Sequence, residues 1–140
     1  MTSLWGDFGN LDSYVTPKSL LDEQAKHLTI LTKGRLYGEV EVINQEDLSD
    51  NNNNFTFELQ IKSEFLPNYQ FTILDISHNI IPYPLELRIE GNIWEELGYG
   101  PSNYGYYQID HEDEFKKELE KILSSNAVKN VVKALYNMTK

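Results

Sequence analysis

The stretch FTFELQIKSEF, residues 55–65, alternates apolar and polar side chains more regularly than any other part of the chain. A period of two is typical of a β-strand that buries one face and exposes the other. The apolar set is Phe55, Phe57, Leu59, Ile61 and Phe65. The sequence therefore predicts a half-buried strand, and the rest of the fold must supply neighbours and a cover for its apolar face.

The next segment extends this strand into a sheet. Residues 69–77, YQFTILDIS, continue in strand style after Pro67-Asn68, which is a turn-forming pair. The short connection predicts an antiparallel hairpin with residues 55–65. Three more segments are predicted as strands on similar patterns: residues 35–43, 85–90 and 106–109.

Helices are predicted at both ends of the chain. Thr16 can cap free amides and Pro17 suits the first helical position, so the apolar stripe that follows predicts a helix over 17–33. Asp110 is expected to cap a second helix whose first turn is acidic. The polar run 124–126 then predicts a break before a valine-rich final helix.

The order helix, strands, helices predicts an α+β fold. We expect an antiparallel sheet of four to five strands, with the N-terminal helix and one or two C-terminal helices packed on one face. The length of 140 residues predicts one domain, over 16–140, preceded by an irregular arm over 1–15. Residues 44–54, which include four consecutive asparagines, and residues 91–105 are predicted as loops.

Acidic charge is concentrated in the middle of the chain. The formal net charge is −10, and residues 35–124 hold 18 acidic against 6 basic side chains, whereas the last sixteen residues hold three lysines and no acid. Nucleic-acid binding requires a basic face, so this distribution argues against it. An acidic field instead attracts a basic protein, although such charge also serves solubility alone.

The residues that disulfides, metal sites and cysteine nucleophiles require are absent or wrongly spaced in this sequence. The absence of cysteine excludes disulfides, thiolate zinc sites and cysteine nucleophiles, and the three histidines, at 27, 78 and 111, lack metal-ligand spacing. We therefore expect no metal and no cofactor. No apolar run approaches the roughly 20 residues of a membrane span and no signal-peptide pattern is present, so a cytoplasmic location is expected.

An enzyme is not predicted. No serine stands in a sharp glycine-flanked turn. A buried carboxylate would be needed for acid–base work, and Asp75, among apolar neighbours, is the candidate. A structural role at the end of a strand explains Asp75 more simply.

Pairs of glutamates alternate with the buried positions of the predicted strands. Because side chains on a strand alternate between faces, these carboxylates should point outward, where their acidity has little reason to change. The pairs are Glu39 with Glu41, Glu58 with Glu64, and Glu86 with Glu90. An open acidic sheet face of this kind suits a basic protein partner.

Residues 92–107 hold more large aromatic side chains than a connection needs. Tyrosine and tryptophan on glycine-rich segments offer large contact area at low entropic cost. We predict that the partner-binding residues lie here: Trp94, Glu95, Glu96, Tyr99, Tyr104 and Tyr106. The segment could instead simply cover one end of the sheet.

The function predicted from the sequence is a non-enzymatic, acidic protein-interaction domain. Its partner would be a basic protein, and its type that of an immunity protein, an antitoxin or a defence-system accessory. The alternative is a small-ligand binding module in which the segment 92–107 closes over the sheet and Trp94 and Tyr99 stack on the ligand.

Overall fold

Five strands and four α-helices make up the computed structural model, which describes residues 3–43, 55–100 and 106–140. The predicted loop 44–54 falls outside the described residues. The strands are β1 (Tyr37–Ile43), β2 (Phe55–Lys62), β3 (Gln70–His78), β4 (Leu85–Ile89) and β5 (Tyr106–Ile109). The helices are α1 (Pro17–Leu31), α2 (Gly91–Leu97), α3 (Glu112–Leu123) and α4 (Asn126–Met138).

The strands form one antiparallel sheet in the order β1-β2-β3-β4-β5. The apolar sides of the strands and of the helices share one core, with all helices on one face of the sheet. We call that face the inner face and the opposite one the outer face. The predicted α+β fold is confirmed. The helices lie on one face because the alternation of the strands leaves only one apolar side of the sheet to be covered.

A β-bulge interrupts the pairing of β2 with β3. Leu59 pairs with Leu74, yet the next residue of β2, Gln60, pairs with Thr72. Ile73 is therefore an extra residue on β3, with no partner of its own on β2.

The bulge changes which β3 side chains reach the core. Ile73 and Leu74 are both buried, although strict alternation would put consecutive residues on opposite faces. After the bulge the alternation resumes one residue later, so Ile76 is buried in the core and Asp75 points to the outer face. The bulge thus accounts for an acid among apolar neighbours in the sequence.

The first helix begins as predicted. The Ser19 amide donates to the Thr16 hydroxyl (3.1 Å), and the Thr16 amide donates to the Ser19 hydroxyl (2.9 Å), which completes a capping box. The helix ends at Leu31, two residues before the predicted end at 33, and Gly34 follows in the left-handed conformation (φ 80°).

The prediction of a loop over residues 91–105 is wrong in its first half, which forms α2. The Glu90 carboxylate accepts from the Asn92 amide (2.7 Å), and Gly98 ends the helix with φ 71°. Only Ile93 is fully buried, so a helix this short shows almost no periodic pattern in the sequence.

Two smaller predictions also need correction. The cap of α3 is His111 rather than Asp110, whose carboxylate accepts from the Gln108 side chain (2.8 Å). The strand that begins at residue 55 ends at Lys62, so Phe65 lies beyond it and is exposed. The break between α3 and α4 is confirmed, since the Ser125 hydroxyl caps α4.

Helix α1 lies close against β1 at a single glycine. A β-carbon added to Gly38 would lie 2.6 Å from the Cα and 2.7 Å from the Cβ of Ala25. Real side chains do not approach so closely, so the glycine sets the distance between helix and sheet.

We expect Gly38→Ala to lower the free energy of unfolding by about 1–3 kcal/mol, because α1 must move away from β1. Urea denaturation measures the change. Gly91→Ala is the matched control, since its added β-carbon meets nothing within 4 Å, and it should leave stability nearly unchanged. Equal effects of the two substitutions would show that the close approach at Gly38 does not matter.

Candidate functional site

Three aromatic rings from the segment predicted as the binding site stack on one another. The ring of Tyr99 lies 4.9 Å from that of Trp94 and 5.2 Å from that of Tyr107, centroid to centroid. The Trp94 indole nitrogen donates to the Gly100 carbonyl (2.8 Å). Both neighbours of Tyr99 are thus rings of the same chain, an arrangement that suits a packed cover more than an open stacking platform.

A buried carboxylate of α3 holds this stack in place. The Tyr99 hydroxyl donates to Glu118, whose residue is only 6% exposed and which also contacts Lys121 (3.3 Å). Burial, followed by the hydrogen bond to Glu118, raises the pKa of Tyr99 well above its usual value. The phenol therefore remains a donor at neutral pH and ties the segment to the helical layer.

Glu96 has a structural partner in the next helix. Its carboxylate accepts from the amides of Asn126 (2.7 Å) and Ala127 (2.8 Å), the first two residues of α4. A carboxylate stabilises free amides at the positive end of a helix dipole. Glu96 thus links α2 to α4, and both it and the adjacent Glu95 are exposed.

The five described residues of the predicted set do not form one surface. Tyr107 belongs to the inner-face stack, so the alternation of β5 puts Tyr106 on the outer face, away from Trp94 and Tyr99. Tyr104 lies outside the described residues. Their roles as partner contacts stay a prediction. The face that holds Tyr106 also holds most of the charged side chains of the sheet.

A row of four charged side chains and one tyrosine crosses the outer face from β1 to β5. Each member is the direct register partner of the next, so all of them point to the same side of the sheet. The row is Glu41, Glu58, Asp75, Arg88 and Tyr106. We call it the acidic row, because its first three members are carboxylates on adjacent strands.

Neutral side chains hold part of the acidic row together. The Gln60 amide nitrogen donates to Glu41 (2.7 Å) and to Glu58 (3.1 Å), and the Thr72 hydroxyl donates to Glu58 (2.6 Å). Gln60 is 1% exposed, which is unusual for a polar side chain on an outer sheet face. These bonds fix the two glutamates but bring no positive charge.

Asp75 is the most perturbed carboxyl of the row. Burial raises its pKa from 3.8 to about 6, the attraction of Arg88 lowers it only in part, and repulsion from Glu58 raises it further. At neutral pH the group is ionised at the expense of stability. The row therefore carries negative charge that its own surroundings do not fully compensate.

The remaining charges of the outer face extend the same imbalance. Lys62 forms an ion pair with Glu39, which raises the pKa of the lysine amine, and Glu86 lies half-buried on β4. On the described strands this face holds five carboxylates and two bases: Glu39, Glu41, Glu58, Asp75 and Glu86 against Lys62 and Arg88. It is an acidic surface.

Across residues 3–43, 55–100 and 106–140, no group of three or more histidine, aspartate or glutamate side chains is placed to hold a metal ion. Within those ranges, none of the helices has the length and apolar character to span a bilayer.

Comparison of the chain with protein-family models, curated proteins and solved structures gives no match.

Four of the six glutamates predicted to point outward lie on the outer face: Glu39, Glu41, Glu58 and Glu86. Glu64 and Glu90 lie beyond the ends of β2 and β4, and the row itself was not predicted. The partners across strands depend on register, and Asp75 joins them only because of the bulge at Ile73. The signal that could have revealed this is the adjacent apolar pair Ile73-Leu74, which breaks the alternation one residue before the acid.

We expect Glu96→Ala to lower the free energy of unfolding by about 1 kcal/mol, because two amides of α4 lose their acceptor. Glu95→Ala removes the same charge from an exposed neighbour and should change stability by less than about 0.5 kcal/mol. Thermal or urea unfolding of the two variants measures both changes. An equal loss of stability in the two variants would contradict the capping role of Glu96.

Asp75 should make stability depend on pH in a defined window. Its pKa is higher in the folded chain than in the unfolded one, so the folded state retains the proton as pH rises from about 4 to about 6. Compared with Asp75→Asn, the wild-type chain should therefore lose on the order of 1–3 kcal/mol of stability across that interval. The measurement is urea unfolding of both proteins at pH 4, 5, 6 and 7. A difference in unfolding free energy that stays constant over this range would contradict the raised pKa of Asp75.

Proposed function

We propose that this chain is a non-enzymatic domain that binds a cationic protein surface through the outer face of its sheet. The observation that carries the proposal is the acidic row, in which Glu41, Glu58 and Asp75 are direct neighbours on three adjacent strands. Like charges directly opposite one another destabilise a sheet, so the folded chain alone gains nothing from this placement.

A cationic side chain from a partner would relieve the repulsion. Arginine forms paired hydrogen bonds with carboxylates and keeps its charge at any physiological pH, which makes it the best-suited group. A guanidinium near Asp75 and Glu58 would lower the raised pKa of Asp75 and so reduce the cost in stability of its ionisation. The internal donors Gln60 and Thr72 hold Glu58 in position before the partner arrives.

The structure favours this face over the aromatic segment as the contact surface. Trp94 and Tyr99 stack internally, and Glu96 caps α4, so each already has a structural partner. Tyr106, the last member of the acidic row, is the one described residue of the predicted set that lies on the outer face.

The net charge supports the same class of partner. A charge of −10 speeds the encounter with a basic protein and makes the association sensitive to salt. A protein of the immunity or antitoxin type, which neutralises a basic target by covering it, would have these properties. The sheet then presents the contact surface, and the helical layer supports it from behind.

We expect reversal of two row carboxylates, Glu41→Lys with Glu58→Lys, to weaken binding of a fluorescein-labelled oligo-arginine peptide by about tenfold or more. The reason is the loss of the positions that would accept guanidinium groups. Fluorescence anisotropy at low and at moderate salt gives the affinities. Circular dichroism of the variant checks that the fold is retained.

The control changes the net charge by the same amount on the other side of the molecule. Glu23→Lys with Glu120→Lys alters exposed residues of α1 and α3, and its affinity for the peptide should stay within about twofold of wild type. An equal loss in both double variants would show that only net charge matters and would contradict a site on the outer face.

A further inference from the structure

A groove runs along the helical layer between α1 and the pair α3–α4. It consists of three adjoining hollows of about 440, 400 and 400 Å³, counted from the start of α1 toward its end. Gln24 lines all three, and Leu123 and Ser124 line the second and the third. We call this the helical groove, and it lies on the opposite side of the sheet from the acidic row.

The third hollow of the groove has apolar walls and a basic rim. The third hollow has walls of leucine, isoleucine and valine: Leu28, Leu31, Ile61, Ile73, Leu123, Val128 and Val132. Lys129 and Lys133 of α4 stand along this hollow. The other two hollows are mixed in charge, since Lys116 of α3 lines them together with Glu23 in the first and Glu120 in the second. An occupant that fits the third hollow is therefore apolar and acidic.

The N-terminal arm of this chain has that composition. Between residues 3 and 15 it exposes apolar side chains at nearly every third position: Leu4, Trp5, Phe8, Leu11 and Tyr14. Trp5 is 78% exposed and Phe8 is 60% exposed, which is costly for rings of this size. The arm also carries Asp7 and Asp12 and no basic residue.

The base of the arm already lies at the entrance of the groove. Its last residues, 12–15, form part of the first hollow together with Leu20 and Lys116. Even so, the earlier residues of the arm are exposed, and the groove beyond the entrance is open. A single chain thus leaves two complementary apolar surfaces without a partner.

We propose that two copies of this chain exchange their N-terminal arms, each arm lying in the helical groove of the other copy. The exchange is reciprocal, so one two-fold axis relates the copies and both surfaces are covered. Large aromatic side chains bury about 150–250 Å² each, and Trp5 and Phe8 from two arms, with the groove walls that they cover, exceed the roughly 1,000 Å² of a specific interface.

Sedimentation equilibrium of the full chain over a wide concentration range tests the proposal. Wild type should dimerise, and Trp5→Ala with Phe8→Ala should weaken dimerisation by about tenfold or more. The matched control is Ile80→Ala with Ile81→Ala, which removes side chains that are 80% and 75% exposed outside the arm, and it should dimerise like wild type. A wild-type chain that stays monomeric at every concentration would overturn the proposal, and so would an arm variant that still dimerises fully.

A mixing experiment separates arm exchange from any other dimer. Lys129→Glu with Lys133→Glu should weaken the binding of an acidic arm to the groove and leave the variant's own arm intact. The arm variant has the reverse defect, a weakened arm and an intact groove. Each variant alone should be monomeric, and an equimolar mixture should form a dimer held by one good arm in one good groove. A mixture that stays monomeric would overturn the exchange.

Variants of the outer face keep this test independent of the proposed function. Glu41→Lys with Glu58→Lys alters only the acidic row, and it should leave dimerisation unchanged. If it abolishes the dimer while the arm variant does not, the copies associate through the sheet and arm exchange is wrong.

Discussion

The β-bulge at Ile73 is the constraint on which both faces of the sheet depend. One extra residue lets Ile73 and Leu74 enter the core together, and it turns Asp75 toward the outer face, in register with Glu58 and Arg88. Without it, Asp75 would point toward the helices, where an unpaired carboxylate would be very costly. The same local irregularity therefore completes the apolar layer and creates the acidic row.

The architecture could be predicted because the alternation of β2 and the Thr16-Pro17 helix start are local signals. Helix α2 could not, since it buries one residue and owes its position to tertiary packing. The internal contacts of the predicted site residues could not be predicted for a similar reason. Tyr99 and Glu96 find their partners in Glu118 and in the amides of α4, 19 and about 30 residues further along, and no pattern in the sequence joins such distant groups.

The two sides of the molecule differ in the chemistry of the partner that each would fit. The outer face is held by side-chain hydrogen bonds and carries more acid than base, so charge decides what approaches it. The helical layer is apolar along its groove and carries lysines at the rim, so shape and buried area decide there. The two proposed contacts use opposite surfaces, so one would not obstruct the other.

The glutamates of β1 have one more effect, which concerns the edge of the sheet. Among the described strands β1 is outermost, and the backbone of an edge strand is a template on which another chain could extend the sheet. If two copies met there in antiparallel fashion, Glu39 and Glu41 of each would face those of the other at close range. Repulsion between these carboxylates would oppose the addition of a second copy's strand at this edge.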